Sequence, residues 1–139
     1  MKICQGFVTN SSSTFFIISL KEDFTFENFY KALGLGNKCK IKNVIYDMYN
    51  AIQKKKKDLF EYLEIENPTL EALDESLEYG SDIQGEAVDK VIELIRDNRK
   101  VYCGYFEDQA CSQAEIFLCF TSIMIDTDDI YFNAEKDRY

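Results

Sequence analysis

The chain has 139 residues, of which 46% are apolar and 14% aromatic, so it can bury one hydrophobic core but is too short for two ordinary domains. Its 25 acidic and 16 basic residues give a net charge of −9, which argues against a general affinity for nucleic acid or anionic membranes, because a basic surface supplies most of that binding. We therefore expect a single globular domain, residues 1–139, that is a monomer or a small homo-oligomer with no direct nucleic-acid or membrane partner.

Five cysteines and the lack of histidine restrict the chemistry of this chain. The cysteine number is odd, no Cys-x-x-Cys pair occurs and no signal-peptide pattern precedes them, which indicates free thiols in a reducing cytoplasm. Without histidine, Ser-His and Cys-His nucleophiles and His-rich metal sites are excluded. We predict a cytoplasmic protein with no cofactor and no catalytic residue.

The first two predicted strands, residues 6–8 and 15–20, flank a run of small polar side chains. Such side chains hydrogen-bond their own backbone and thereby stabilise turns, so we predict an N-terminal β-hairpin. A solvated turn is the simplest interpretation, and recognition or processing by a partner is the alternative. The residues of this recognition turn are Asn10, Ser11, Ser12, Ser13 and Thr14.

Residues 6–18, Gly-Phe-Val-Thr-Asn-Ser-Ser-Ser-Thr-Phe-Phe-Ile-Ile, also carry a family resemblance. The segment resembles the Gly-Phe-Val-Ser/Thr-Asn-Ser-Ser-Ser-Ser/Thr-Phe signature of a loose group of small, mostly uncharacterised proteins encoded by bacteria, archaea and their phages. This resemblance covers about the first twenty residues and brings no activity with it. It implies an address or a modification site at the recognition turn.

Four helices are predicted next. Thr25 is an N-cap for a helix over residues 25–34, and apolar spacing over residues 42–65 indicates one long helix or two joined near the lysine run 54–57. Asn67-Pro68 supplies an N-cap and a first helical residue for a helix that Gly80 ends, and a further helix covers residues 84–98.

The last forty residues return to strand character. Residues 101–106 read as a strand, residues 110–121 fit helix and strand patterns alike, and further strands are expected within residues 123–132. We favour a helix over residues 110–120. The predicted fold is a single α+β domain in which the N-terminal β-hairpin and the C-terminal strands form one sheet, with about four to five helices packed on it.

An acid-rich turn near the predicted C-terminal strands is a weak candidate for a metal site. Asp126, Asp128 and Asp129 could hold Mg²⁺ or Ca²⁺ through carboxylate oxygens. The pattern does not fit an EF-hand, because Tyr131 stands where that loop needs glycine. A solvated turn is the simpler interpretation, so we predict no bound metal.

Charge is strongly segregated along the chain. Residues 38–57 carry seven lysines and one aspartate, a net of +6, whereas residues 58–97 carry thirteen acids and two bases, a net of −11. Either the basic helix lies against the acidic helices in weak surface ion pairs, or the acids form a face for a basic partner. The predicted partner-binding residues are Glu71, Asp74, Glu75, Glu78 and Asp82.

Three functional hypotheses follow. The first is a non-enzymatic intracellular protein-binding module, such as a phage or mobile-element inhibitor that occupies a basic surface on a host defence or nucleic-acid-handling protein. The second is a hydrolase that uses carboxylates and a divalent metal. The third is a structural or regulatory subunit that is recognised or modified at the recognition turn.

Overall fold

The central strand of the protein is the most apolar segment of its N-terminal part. The computed structural model describes residues 13–36, 38–78, 82–108 and 112–134. In it, β1 (Ser13–Leu20) lies in the middle of a five-stranded antiparallel sheet of order β2-β3-β1-β5-β4. A strand that is buried on both faces has no polar side to alternate with, which explains the uninterrupted Phe-Phe-Ile-Ile run in β1. The other strands are β2 (Lys57–Asp58), β3 (Tyr102–Glu107), β4 (Ile123–Asp126) and β5 (Ile130–Ala134).

Helices cover both faces of this sheet. The even-numbered residues of β1, such as Phe16 and Ile18, pack against one helical layer, whereas Ile17 packs against the other, as the alternation of side chains along a strand requires. The first layer consists of α1 (Phe26–Ala32), α2 (Lys42–Lys55) and α6 (Gln113–Phe120). The second layer consists of α3 (Leu59–Tyr62), α4 (Leu70–Glu78) and α5 (Glu86–Arg96). The predicted α+β class with one sheet is confirmed, with six helices in the described residues where four to five were expected.

Hydroxyl side chains begin three of the helices. Thr25 Oγ1 accepts from Asn28 N–H at 3.1 Å, as predicted, and Ser112 Oγ accepts from Glu115 N–H at 3.2 Å at the start of α6. For α4 the predicted Asn67 cap is wrong. Thr69 Oγ1 instead accepts from Ala72 N–H at 3.1 Å, so the helix begins at Leu70, two residues after Pro68.

The lysine run separates two helices. Lys56 has an extended backbone (ψ 144°), which ends α2 and lets Lys57 and Asp58 pair with β3 as the short strand β2. Asp58 Oδ1 then accepts from Phe60 N–H at 3.0 Å and starts α3. The Lys56 ammonium lies 4.1 Å from the centre of the Tyr102 ring, so this lysine packs its stem on an aromatic surface.

The segment over residues 110–121, which fits helix and strand patterns alike, contains the helix α6. Its carboxyl end leads into the hairpin of β4 and β5, whose turn is closed by Thr127 N–H donating to the Ile130 carbonyl at 2.8 Å. The predicted first strand, residues 6–8, lies outside the described residues.

Candidate functional site

The exposed surface of the second helical layer is dominated by carboxylates. Leu73 and Leu77 of α4 are buried against the sheet, so the opposite side of the helix faces solvent. On α5, Val91 and Leu94 are buried in the same way. We call the exposed acids of this layer and its connecting segments the acidic layer: Glu61, Glu64, Glu66, Glu71, Asp74, Glu75, Glu78, Asp82, Glu86, Asp89, Glu93 and Asp97.

The sheet separates the acidic layer from the lysine-rich segment. Residues 38–56 belong to the first helical layer, and residues 58–97 belong mainly to the second. Lys57 lies in β2, opposite Cys103 on the face of the second layer. The ion pairs found among the described residues join Lys55 to Glu107 and Glu115 and Lys90 to Asp126, and none links the two segments. The basic helix therefore does not lie against the acidic helices, and the acidic layer faces solvent without lysine partners from α2.

Four of the five predicted partner-binding residues form one stripe. Glu71, Asp74, Glu75 and Glu78 are spaced at three and four residues along α4 and are all exposed. Asp82 lies beyond the helix and has a different environment, because its Oδ2 accepts a hydrogen bond from the Tyr62 hydroxyl. Burial and this hydrogen bond raise the pKa of Tyr62 above its ordinary value, so its phenol stays protonated and tethers α3 to the segment before α5.

Two of the five residues of the predicted recognition turn belong to a strand. Asn10, Ser11 and Ser12 lie outside the described residues, whereas Ser13 and Thr14 belong to β1. The Thr14 side chain is 1% exposed, and its hydroxyl donates to the Cys119 carbonyl at 2.7 Å. Thr14 is therefore a packing residue that satisfies a carbonyl at the end of α6, and the recognition role of the rest of the turn stays a prediction.

The three weak metal candidates do not converge. Asp126 ends β4 with Oδ1 at 3.0 Å from Lys90 Nζ, while Asp128 and Asp129 are exposed in the β4–β5 turn. The Asp128 carbonyl accepts from Arg99 Nη1 at 3.4 Å. Across residues 13–36, 38–78, 82–108 and 112–134, no group of three or more acidic or cysteine side chains is placed to share an ion.

An ion cluster around the buried Glu115 is the feature that sequence reasoning missed. Glu115 is 1% exposed, and its Oε2 accepts from Glu107 N–H at 2.9 Å. Lys55 Nζ lies 3.6 Å from this oxygen and 3.6 Å from Glu107 Oε2. The Ser112-x-x-Glu115 pattern could have identified the start of α6, but it predicts that Glu115 bonds back to Ser112. The cluster instead connects α6 to α2 and β3, which is a structural role.

Burial makes Cys103 a poor candidate for a nucleophile. The side chains of Cys103 and Cys119 are buried, and that of Cys39 is half-buried. Burial raises the pKa of the Cys103 thiol to about 12, with a smaller contribution from the negative charges of Asp58 and Asp82. A nucleophilic cysteine needs a lowered pKa, so Cys103 is an inert packing residue.

A groove runs between α5 and the β4–β5 hairpin. Its volume is about 440 Å³. We call it the α5 groove. Its carboxylates are those of Glu86, Asp89, Glu93 and Asp126, and Lys90 is its basic side chain. Met124 and Tyr131 contribute apolar surface to it.

Comparisons of the chain with protein-family models, with curated proteins and with solved structures find no match to any of them. None of the helices in the described part of the chain has the length and apolar character needed to cross a membrane.

Proposed function

We propose that the protein is a non-enzymatic binding module whose acidic layer occupies a basic surface on a partner protein. The observation that carries this proposal is the separation of charge across the sheet. Because the lysines of residues 38–56 lie on the other side of the sheet, and no ion pair of the described residues joins them to the exposed carboxylates of α4 and α5, they do not neutralise those carboxylates. The field of these carboxylates therefore extends into solvent, where it attracts positive charge.

The spacing of the acids suits an extended basic surface. Besides the stripe on α4, the acids Glu86, Asp89 and Glu93 recur at three and four residues on α5. A rigid helical layer holds these charges at defined positions, so the surface can imitate the phosphates of a nucleic acid. We infer that the partner is a host defence or nucleic-acid-handling protein, and the N-terminal resemblance to phage-encoded proteins supports this class.

The proposal is tested by capturing partners from the native host and measuring their association with charge-reversed variants. The test variant carries Glu71→Lys, Asp74→Lys, Glu75→Lys and Glu78→Lys. The matched control makes the same change in net charge on the first helical layer and its approach, with Glu22→Lys, Asp23→Lys, Glu27→Lys and Asp47→Lys. These control residues are also exposed.

We expect the association rate constant of the test variant with the purified partner to fall by about tenfold or more. The dissociation rate constant should change less, because exposed charges act mainly by steering the encounter. Surface plasmon resonance at low and physiological salt measures both rates. Association of the unaltered protein should fall steeply with salt. The proposal fails if the two variants slow association equally, or if neither changes it at low salt.

A further inference from the structure

Within the sheet formed by the described residues, the strand β4 lies at an open edge next to the acidic layer. It is the last strand in the sheet order and pairs with β5, and no described residue pairs with its other side. An unpaired edge presents a row of backbone N–H and C=O groups that can accept another strand. The opposite edge of the sheet is the two-residue strand β2, which has far fewer backbone groups available to an added strand.

The register of the hairpin identifies the outward backbone groups. Thr127 donates to the Ile130 carbonyl, so that pair is hydrogen-bonded, and Ile125 opposite Phe132 is the next such pair along the ladder. Met124 and Asp126 therefore occupy the pairs that are not hydrogen-bonded to β5. Their backbone N–H and C=O groups point toward the open edge.

The two faces beside this edge differ in chemistry. Met124 and Asp126 face the α5 groove, which also contains the carboxylates of Glu86, Asp89 and Glu93. Ile123 and Ile125 face the other way and pack at the margin of the first helical layer. A strand added to β4 would meet carboxylates on one side and apolar side chains on the other.

We propose that the open edge of β4 and the α5 groove together receive an extended segment of the partner in which basic and apolar residues alternate. The segment forms an additional strand, its basic side chains enter the α5 groove, and its apolar side chains cover Ile123 and Ile125. This inference rests on the proposed function and specifies how the basic partner docks.

Charge argues against a second copy of this chain as the occupant. Two antiparallel β4 strands, paired about a two-fold axis perpendicular to the sheet, would place the two α5 helices on the same side of the joined sheet. The carboxylates of Asp126 and the acidic layer would then lie next to their own copies, and like charges oppose such pairing.

The experiment uses a fluorescein-labelled peptide, Lys-Val-Lys-Val-Lys-Val, and fluorescence anisotropy at low salt. Two control peptides keep the same charge and carry backbone N-methyl groups on the lysines or on the valines. In an antiparallel added strand the residue opposite Met124 exchanges hydrogen bonds with it, so methylated lysines should abolish binding while methylated valines should preserve it. The opposite pattern would indicate a parallel strand and would also support strand addition. Equal behaviour of the two methylated peptides would overturn the inference.

Variants of the edge provide a second arm. Met124→Pro removes an outward N–H without removing a bond to β5, and should weaken peptide binding about tenfold or more, whereas Met124→Ala keeps the backbone and should change it little. Circular dichroism checks that both variants fold. If the Met124→Pro variant does not fold, the two N-methylated peptides still test strand addition on the unaltered protein. Unchanged peptide binding by a folded Met124→Pro variant would contradict the inference.

Failure here is distinguishable from failure of the proposed function. Suppose that the peptide does not bind, but the captured partner still associates more slowly with the charge-reversed α4 variant than with its control. Strand addition at β4 would then be contradicted, and the proposed role of the acidic layer would be supported. If the captured partner does not distinguish them, the proposed function fails as well. Sedimentation equilibrium without peptide measures whether the protein dimerises. A dimer that is lost in the Met124→Pro variant would show that a second copy of the chain occupies the β4 edge, and would overturn the inference.

Discussion

Thr14 shows how burial decides the role of a single residue. Its sequence context is a run of small polar side chains, which by itself indicates a solvated turn. In the folded chain its side chain points to the first helical layer, where its hydroxyl donates to the Cys119 carbonyl at 2.7 Å. The neighbouring Ser13 is exposed, so two adjacent hydroxyl residues have different roles.

We predict that Thr14→Val destabilises the protein by about 1–3 kcal/mol, because the carbonyl of Cys119 loses its donor in a buried site. Ser13→Ala is the matched control and should change the free energy of unfolding by less than about 0.5 kcal/mol, as exposed positions usually do. Urea denaturation followed by circular dichroism measures both values. Equal losses in the two variants would show that the Thr14 hydrogen bond contributes nothing.

The packing of α2 on β3 depends on one glycine. A Cβ atom at Gly104 would lie 2.5 Å from the Lys55 carbonyl oxygen and 3.0 Å from Phe16 Cε1. The last turn of α2 therefore rests directly on the strand backbone. This close contact also brings Lys55 to the cluster with Glu107 and Glu115.

We predict that Gly104→Ala costs about 1–3 kcal/mol, because backbone atoms must move to admit the methyl group. Gly36→Ala is the control, since a Cβ atom there meets nothing within 4 Å. Thermal and urea unfolding of both variants give the comparison. A Gly104→Ala protein as stable as the Gly36→Ala protein would mean that α2 shifts away from β3 without cost.

At the scale of the whole molecule, the dominant feature is the separation of charge by the sheet. The carboxylates on α4 stand three and four residues apart, where like charges repel by a few tenths of a kcal/mol for each pair. Salt screens this repulsion, whereas the few ion pairs of the described residues lose little by screening.

We therefore predict that raising NaCl from about 0.02 to 0.2 M increases the free energy of unfolding by about 0.5–1 kcal/mol. The variant with Glu71→Gln, Asp74→Asn, Glu75→Gln and Glu78→Gln should be more stable at low salt and less sensitive to salt. Neutralising Glu22, Asp23, Glu27 and Asp47 is the control and should preserve more of the salt response. Denaturation of all three proteins across the salt range tests this, and a stability that falls with salt would contradict it.

Much of the secondary structure could be predicted because local signals set it. The hydroxyl cap at Thr25, the leucine spacing of α4 and the apolar run of β1 each depend on neighbouring residues. The start of α4 was placed at the wrong residue, because both Asn67 and Thr69 have side chains that cap helices. Local chemistry does not choose between two suitable caps two residues apart.

The candidate sites were less predictable than the secondary structure, because they depend on which distant parts of the chain come into contact. The exposed stripe on α4 follows from its helical spacing, whereas the ion cluster at Glu115 joins three elements that are distant in sequence. The open edge of β4 likewise depends on strand order, which a single sequence does not contain.

The α+β class, most of the helices and strands and the two blocks of opposite charge could be predicted from the sequence, because composition and periodicity are properties of neighbouring residues. Tertiary packing alone places most of the two blocks on opposite sides of one sheet, buries Thr14 and leaves β4 at the edge of the sheet that the described residues form. The physical reason is that side-chain alternation along β1 commits each helix to one face of the sheet, and the choice of face depends on long-range packing.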